Sequence, residues 1–266
     1  MKIKRILIIL FLFAAANYFA QTPKMNVNKT DGSTVSFDLN EIESITFGAG
    51  GGTVTDGLVS YYPFNGNAND VWGSNNGTPQ NGAVLAEGRK GDAAGAYYFD
   101  GDDDYIQLSS HLDDFTTSSI SVWVYNVKPS NQVGNIIVDA NSESGNDFRL
   151  GIRNSGIGVV ANKGDADLNM PNGTAAPNQN LNDAWHHIVW TMGADESKIY
   201  IDGSLAATLE ETGSNVGYHS EFATIGVFYK NTDALPFKNF FQGRIDDLRI
   251  YNRVLTQSEV TTLYNE

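Results

Sequence analysis

The feature that most constrains this chain is a succession of short alternating runs with no helical pattern between them. Ser119-Ile120-Ser121-Val122-Trp123-Val124-Tyr125 alternates cleanly, and Trp185 to Met192 pairs through Asp195-Glu196-Ser197 with Lys198 to Asp202. Leu58 to Phe64, Ala96 to Gly101, Tyr105 to Leu108, Asn135 to Asp139, Phe148 to Ile152, Gly156 to Ala161 and Ala223 to Val227 are runs of the same kind. About ten strands with turns at short intervals predict an all-β sandwich or barrel. A parallel α/β sheet is disfavoured, because its crossovers need helices that this pattern lacks. The one helical signal is Thr256 to Tyr264, where Thr256 and Glu259 fit a capping box.

The last run, Phe240 to Asn252, organises the rest. Ile245, Leu248 and Ile250 are apolar, while Arg244, Asp247, Arg249 and Asn252 are polar. The alternation slips by one residue at Asp246-Asp247, which predicts a bulge there. Two adjacent carboxylates at a bulge repel unless a cation or donors compensate them.

Composition supports many tight turns, with 27 glycines against 7 prolines. A net charge of −14 argues against nucleic acid and anionic membranes as partners. It is compatible with cations and with neutral sugars. The chain has no cysteine, so disulfides, thiolate metal sites and cysteine nucleophiles are excluded.

The chain divides into four segments. Residues 1–20 read as a signal peptide: Lys2, Lys4 and Arg5 precede the apolar run Ile6 to Phe13 and a small-residue stretch. Cleavage after Ala16 or after Ala20 fits, and the run is too short for a comfortable membrane span. Residues 21–47 form a small β segment, with alternating runs on either side of Asp31-Gly32 as in a hairpin and a third at Glu41 to Phe47. Residues 48–53 are a Gly-rich linker. Residues 54–266 are the main domain. The expected location is outside the cell or on its surface, with no membrane insertion once the signal is removed.

Several motifs of the main domain carry a resemblance. They are LVSYYPFNGNAND (58–70), YYFDG (97–101), ISVWVY (120–125), WHHIVWT with KIYIDG (185–203) and GRIDDLRIYNRVL (243–255). In this order they resemble the laminin-G-like, concanavalin A-like jelly-roll domains of exported bacterial proteins. The resemblance covers roughly residues 56–266. It implies two stacked antiparallel sheets, with the first and last strands side by side and a short C-terminal helix. Members bind calcium, carbohydrates or proteins, so the fold does not name the ligand.

Calcium takes oxygen ligands from carboxylates, amides, carbonyls and water. Asn65 to Asp70 and Ser74 to Gly77 offer many such oxygens in one loop. The resemblance maps calcium ligands to Asp70, to Asn76 (or its neighbour Asn75) and to Asp246. The alternative is that the Asn and Gly residues form turns and that Asp246 accepts backbone N–H groups at the bulge.

Other chemistry is thinner. Asp102-Asp103-Asp104 reads as a solvated turn rather than a chelate, because successive side chains diverge. His186 and His187 face opposite sides of a strand and cannot share a metal. No core strand carries two or three carboxylates at alternate positions. A glycan-cleaving carboxylate pair would therefore have to come from separate strands. No Gly-x-Ser-x-Gly elbow is present. Most of the 30 aromatics, given by 14 Phe, 12 Tyr and 4 Trp, are expected in the core, with Trp123 and Trp190 among them. Tyr218-His219, Phe228-Tyr229 and the polar stretch 162–180 are places where a sugar-stacking ring would sit. The expected function is a non-catalytic, exported, calcium-stabilised binding module. A polysaccharide or other glycan is the favoured partner, a surface protein the alternative, and glycan cleavage the third reading.

Overall fold

The structure is a computed structural model describing residues 23–28, 33–39, 54–112, 117–127, 134–139, 148–153, 158–163, 166–169, 181–210, 221–229 and 237–266. The signal segment 1–20, the run at 41–47 and the linker 48–53 lie outside the described residues. Residues 1–50 and 51–266 are two compact units.

In the first unit, Lys24–Asn28 (β1) and Thr34–Asp38 (β2) pair antiparallel, with Asn28 opposite Thr34. Val27, Phe37 and Leu39 remain exposed. Two strands alone have no second layer on which to bury such side chains.

The strands of the second unit are, in order, Leu58–Tyr62 (β3), Gly77–Gln80 (β4), Val84–Ala86 (β5), Ala96–Asp100 (β6), Tyr105–Leu108 (β7), Ser118–Asn126 (β8) and Gly134–Asp139 (β9). Phe148–Arg153 (β10), Gly158–Lys163 (β11), Ala166–Asn169 (β12), Trp185–Met192 (β13), Glu196–Ile201 (β14) and Ser204–Glu210 (β15) follow. Thr224–Ile225 (β16), Phe228–Tyr229 (β17), Phe237–Lys238 (β18), Gln242–Tyr251 (β19) and the helix Gln257–Tyr264 (α1) complete the set. One sheet runs β15-β14-β13-β8-β19-β6-β5, with β3 also on β19. The other runs β12-β11-β10-β9-β16-β7-β4. Every strand pairing in both sheets is antiparallel. This is the two-sheet jelly roll that the resemblance implied, with first and last strands adjacent.

The expected bulge is present and has a topological purpose. β19 lies along β8, and on its other side it pairs first with β6 (Gln242 to Ile245) and then with β3 (Leu248 to Tyr251). The register against β8 shifts between Asp246 and Arg249, where Asp247 adopts φ +47°. One strand thus serves two neighbours by kinking between them.

Ile120, Val122, Val124, Ile188, Trp190, Ile245 and Ile250 point from the eight-stranded sheet into the core, against Ile106, Ile136, Ile137, Leu150 and Ile225 of the other sheet. Trp190 is fully buried there, as expected. Trp123 is not: it lies on the opposite face, half-buried, because the alternation that sends Val122 and Val124 inward sends it outward. Gly243 (φ +143°) admits no side chain, since a Cβ would fall 2.1 Å from the Tyr125 carbonyl oxygen of β8.

The helix forms where its box predicts. Thr256 Oγ1 accepts from the Glu259 N–H, and the Glu259 carboxylate accepts from the Thr256 N–H. Arg253 grips the same carboxylate at 2.6 and 3.0 Å, and this contact above all holds Glu259 down at about 2. Val260 and Leu263 then bury against Leu58, Val189, Tyr200 and Tyr251 on the outer face of the eight-stranded sheet.

Candidate functional site

Asp70 closes the loop that follows β3. Its Oδ1 accepts the main-chain N–H groups of Tyr61 (2.9 Å), Trp72 (3.1 Å) and Gly73 (2.9 Å), and its Oδ2 accepts that of Asn75 (3.3 Å). An aspartate that bonds its own downstream backbone is a turn former. Asn76 Oδ1 accepts the Asp70 N–H at 3.1 Å, which closes the loop from the other side. Asn75 works outward. Its Nδ2 donates to the carbonyls of Ser110 and His111, and its Oδ1 accepts from Ser109 Oγ and the Ser110 N–H. One amide therefore clamps the 70–76 loop to the segment after β7, and Tyr62 donates to the Asn75 carbonyl from within.

The clamp frames a cleft of about 340 Å³. Ser60, Asp70, Ser74, Asn75, Ser110 and His111 line it, over an apolar floor that includes Leu58 and Ile250. Trp72 stands at its side and is 52% exposed. Val71 beside it is also exposed. A large ring held in the open by a rigid loop, next to a polar cleft, has the two parts that sugar recognition needs: an apolar face and hydrogen-bonding groups. The sequence signal was a tryptophan inside a polar Asn/Gly/Ser stretch, and it passed unnoticed behind the oxygen-rich residues around it.

Asp246 sits at the bulge of β19. No hydrogen bond joins it to Asp70 or Asn76 among the described residues. Its Oδ2 accepts the Arg89 N–H at 3.0 Å. Burial above all, with the neighbouring Asp247 charge, pushes it up to about 6. Asp247 is held low instead: burial opposes this, but the Tyr61 hydroxyl, Arg249 and Arg89 outweigh it. Arg89 reaches Asp247 Oδ2 through Nε (3.0 Å) and Nη2 (2.7 Å), and the Tyr61 hydroxyl donates to Oδ1 at 2.5 Å. Bidentate arginine and a phenol thus supply the compensation that two adjacent carboxylates require. Asp70, Asn76 and Asp246 each accept a main-chain N–H through a side-chain oxygen. The 340 Å³ cleft is lined by Asp70 but by neither Asp246 nor Asp247.

The remaining readings resolve as follows. Asp104 is buried, not solvated, and burial raises its carboxyl above the usual range. Its Oδ2 accepts the Asp100 N–H at 2.9 Å, and Asp100 Oδ1 in turn accepts the Asp102 N–H. Asp100, Asp103 and Asp104 bring their oxygens within 4.8 Å of one another, in an arrangement that the turn's own hydrogen bonds account for. His186 and His187 diverge as expected. His186 Nδ1 meets Asp202 Oδ2 at 2.8 Å, while His187 Nε2 meets Ser121 Oγ at 2.8 Å. His187 is buried under α1, stacked with Trp123 and Tyr264, and burial with the charges of Arg249 and Arg89 pulls it down to about 3. Tyr229 packs between Phe222 and Phe237, so it belongs to a local aromatic cluster. Tyr218-His219 lie outside the described residues, as does most of 162–180, apart from the pieces in β11 and β12.

Two antiparallel sheets closed by adjacent first and last strands define a lectin-type jelly roll. The model for the concanavalin A-like lectin/glucanases superfamily, Laminin G type 3, matches residues 100–261, and the chain belongs to that family. No curated protein matches the chain. Among solved structures, it is similar to domain 4 of AbnA, an extracellular arabinanase of Geobacillus stearothermophilus solved in complex with arabinotriose. Identity is 20%, the TM-score is 0.59, and the match covers 78% of this chain and 98% of that one. The botulinum neurotoxin serotype D ligand binding domain, solved with N-acetylneuraminic acid, shares 17% identity at a TM-score of 0.59, covering 79% and 51%. The binding domain of Paraclostridial Mosquitocidal Protein 1 shares 16% at 0.60, covering 79% and 52%. The chain thus spans nearly all of the arabinanase domain and about half of the toxin domains.

Proposed function

We propose that residues 54–266 are a non-catalytic carbohydrate-binding module, with the cleft beside Trp72 as its sugar site. The observation that carries this reading is the exposed Trp72 ring, on a backbone whose N–H Asp70 accepts, beside a cleft of hydroxyl, amide and imidazole groups. The superfamily, together with neighbours solved with arabinotriose and N-acetylneuraminic acid, supports it at the level of fold. Residues 1–20 direct export in this proposal, and the module acts outside the cell. The test is a glycan array with the full chain and a Trp72→Ala variant. Binding to a defined sugar class that weakens tenfold or more in the variant is expected, since exposed tryptophans are common affinity anchors. Unchanged binding in the variant overturns the site, and silence across the array overturns the function in favour of a protein partner.

Calcium is proposed in a structural role, with Asp70, Asn76 and Asp246 as its side-chain ligands. Asp70 Oδ2, with its one N–H at 3.3 Å, and the carbonyl-rich 65–76 loop are what support it. An ion at a hundred times its dissociation constant adds ~2.7 kcal/mol. In a domain of this size that raises the melting temperature by roughly 5–10 °C. Equal melting in calcium and in chelator retires the ion.

A further inference from the structure

The face of the eight-stranded sheet that points away from the core carries an uninterrupted row. Val84 stands opposite Tyr98, Tyr98 opposite Arg244, Arg244 opposite Tyr125, and Tyr125 opposite Trp185. Directly opposed residues share a face, so five consecutive strands, β5-β6-β19-β8-β13, line these side chains up. Their sequence neighbours Tyr97, Ile245 and Val124 belong to the core, which places the row outside it. At the usual strand spacing the row is about 19 Å long. Val84 is exposed and the other four are half-buried.

Arg244 sits in the middle of it. Its guanidinium carbon is 4.6 Å from the Tyr125 ring centroid and 6.0 Å from that of Trp185. Those two rings meet edge to face at 5.8 Å. Its one hydrogen bond goes from Nη1 to the Glu87 carbonyl oxygen, at 3.0 Å. No carboxylate partners it among the described residues. On the same face Arg89 and Arg249 both have acidic partners, in Asp247 and Glu266. The chain carries a net charge of −14, yet this cation lies on aromatic rings rather than on an acid.

We propose that this row is a second binding site, distinct from the Trp72 cleft, and that it takes an acidic polysaccharide. The free N–H edge of Arg244 pairs with a uronate carboxylate, for which a guanidinium offers two parallel donors. Tyr98, Tyr125 and Trp185 carry the apolar faces of the flanking sugar rings. The length of the row suits a chain of sugars better than a single one.

The experiment measures binding of the full chain to polygalacturonate, to its fully methyl-esterified form and to polyglutamate. Wild type, Arg244→Lys, Arg244→Ala, Trp185→Ala and Trp72→Ala are compared, each checked for an unchanged circular dichroism spectrum. Polygalacturonate is expected to bind, more weakly at high salt, and the ester at least tenfold more weakly. Arg244→Ala is expected to lose tenfold or more, and Arg244→Lys to fall between, keeping the charge but losing the fork. Trp185→Ala is expected to lose affinity with Arg244 intact, and it serves as the deciding variant should the arginine variants misfold. Trp72→Ala is expected to bind as wild type does. Equal binding of acid and ester, polyglutamate binding as well as polygalacturonate, loss in Trp72→Ala alone, or no binding to polygalacturonate would each overturn the proposal.

Discussion

Two halves of the same sheet face are built from the same kinds of residue and end in different states. In one half Trp123, His187 and Tyr264 stack under the C-terminal helix, with Arg89 at 4.6 Å over Trp123. There Arg89 and Arg249 share Asp247, and Arg249 also meets Glu266 at 2.7 Å. In the other half Tyr98, Tyr125 and Trp185 flank Arg244, with neither a helix over them nor an acid on the arginine among the described residues. The difference teaches what cover does to charge. Once a helix excludes water, an unpaired guanidinium costs several kcal/mol, so the covered half carries its counter-ions. In the open half water serves as the partner, and an arginine is left free for a ligand.

The largest test of that contrast removes the shared acid. Asp247→Ala strands the buried Arg89 guanidinium, leaves Arg249 with Glu266 alone, and is expected to cost roughly 3–5 kcal/mol in urea unfolding. Arg244→Ala in the open half is expected to change stability by less than about 0.5 kcal/mol. Equal losses would mean that the two halves do not differ in this way.

The next effect depends on pH. Asp246 titrates at about 6 in the folded chain, above its usual value, so the folded state holds a proton that the unfolded chain releases. On its account stability is present in acid and is lost as pH rises from about 4 to about 6. His187, pulled down to about 3, acts the other way: its neutral folded form costs stability as pH falls below about 6.5. The two offset each other between about 4 and 6. Asp246→Asn removes one of them. It is expected to gain about 2 kcal/mol at pH 8 and nothing at pH 4, and to lose stability more steeply than wild type as acid is added. A loss at pH 8 would show that the ionised carboxylate is needed there, as it would be for a bound cation. The smallest expected effect is Trp72→Ala, under about 0.5 kcal/mol in stability, since the ring is exposed. A larger loss would make Trp72 a packing residue and weaken its reading as a sugar platform.

Much of the architecture was legible in the chain. Clean alternation in Ser119 to Tyr125 and the run from Trp185 to Met192 predicted strands, and those strands pair from Trp185–Tyr125 to Met192–Ser118. The slip at Asp246-Asp247 predicted a bulge, and Thr256 with Glu259 predicted a cap; both are present. These are local signals, carried by residues a few positions apart. The sites were less legible. Trp123 was expected inside and lies outside, because alternation alone does not say which phase faces the core. Trp72 gave no periodic signal, and the loop that carries it is held by main-chain N–H groups donating to Asp70 and by a clamp between Asn75 and Ser110, 35 residues apart.

By itself, then, the sequence determined an all-β chain, its strand order of turns and alternation, the bulge and the terminal helix, since each depends on backbone preference and periodicity within one run. Only the tertiary structure decided that Val84, Tyr98, Arg244, Tyr125 and Trp185 form one row and that Asp246 accepts the Arg89 N–H, 157 positions away. Register between distant strands sets those neighbours, and the helix that folds back over Trp123 and His187 decides which side chains of that face water still reaches.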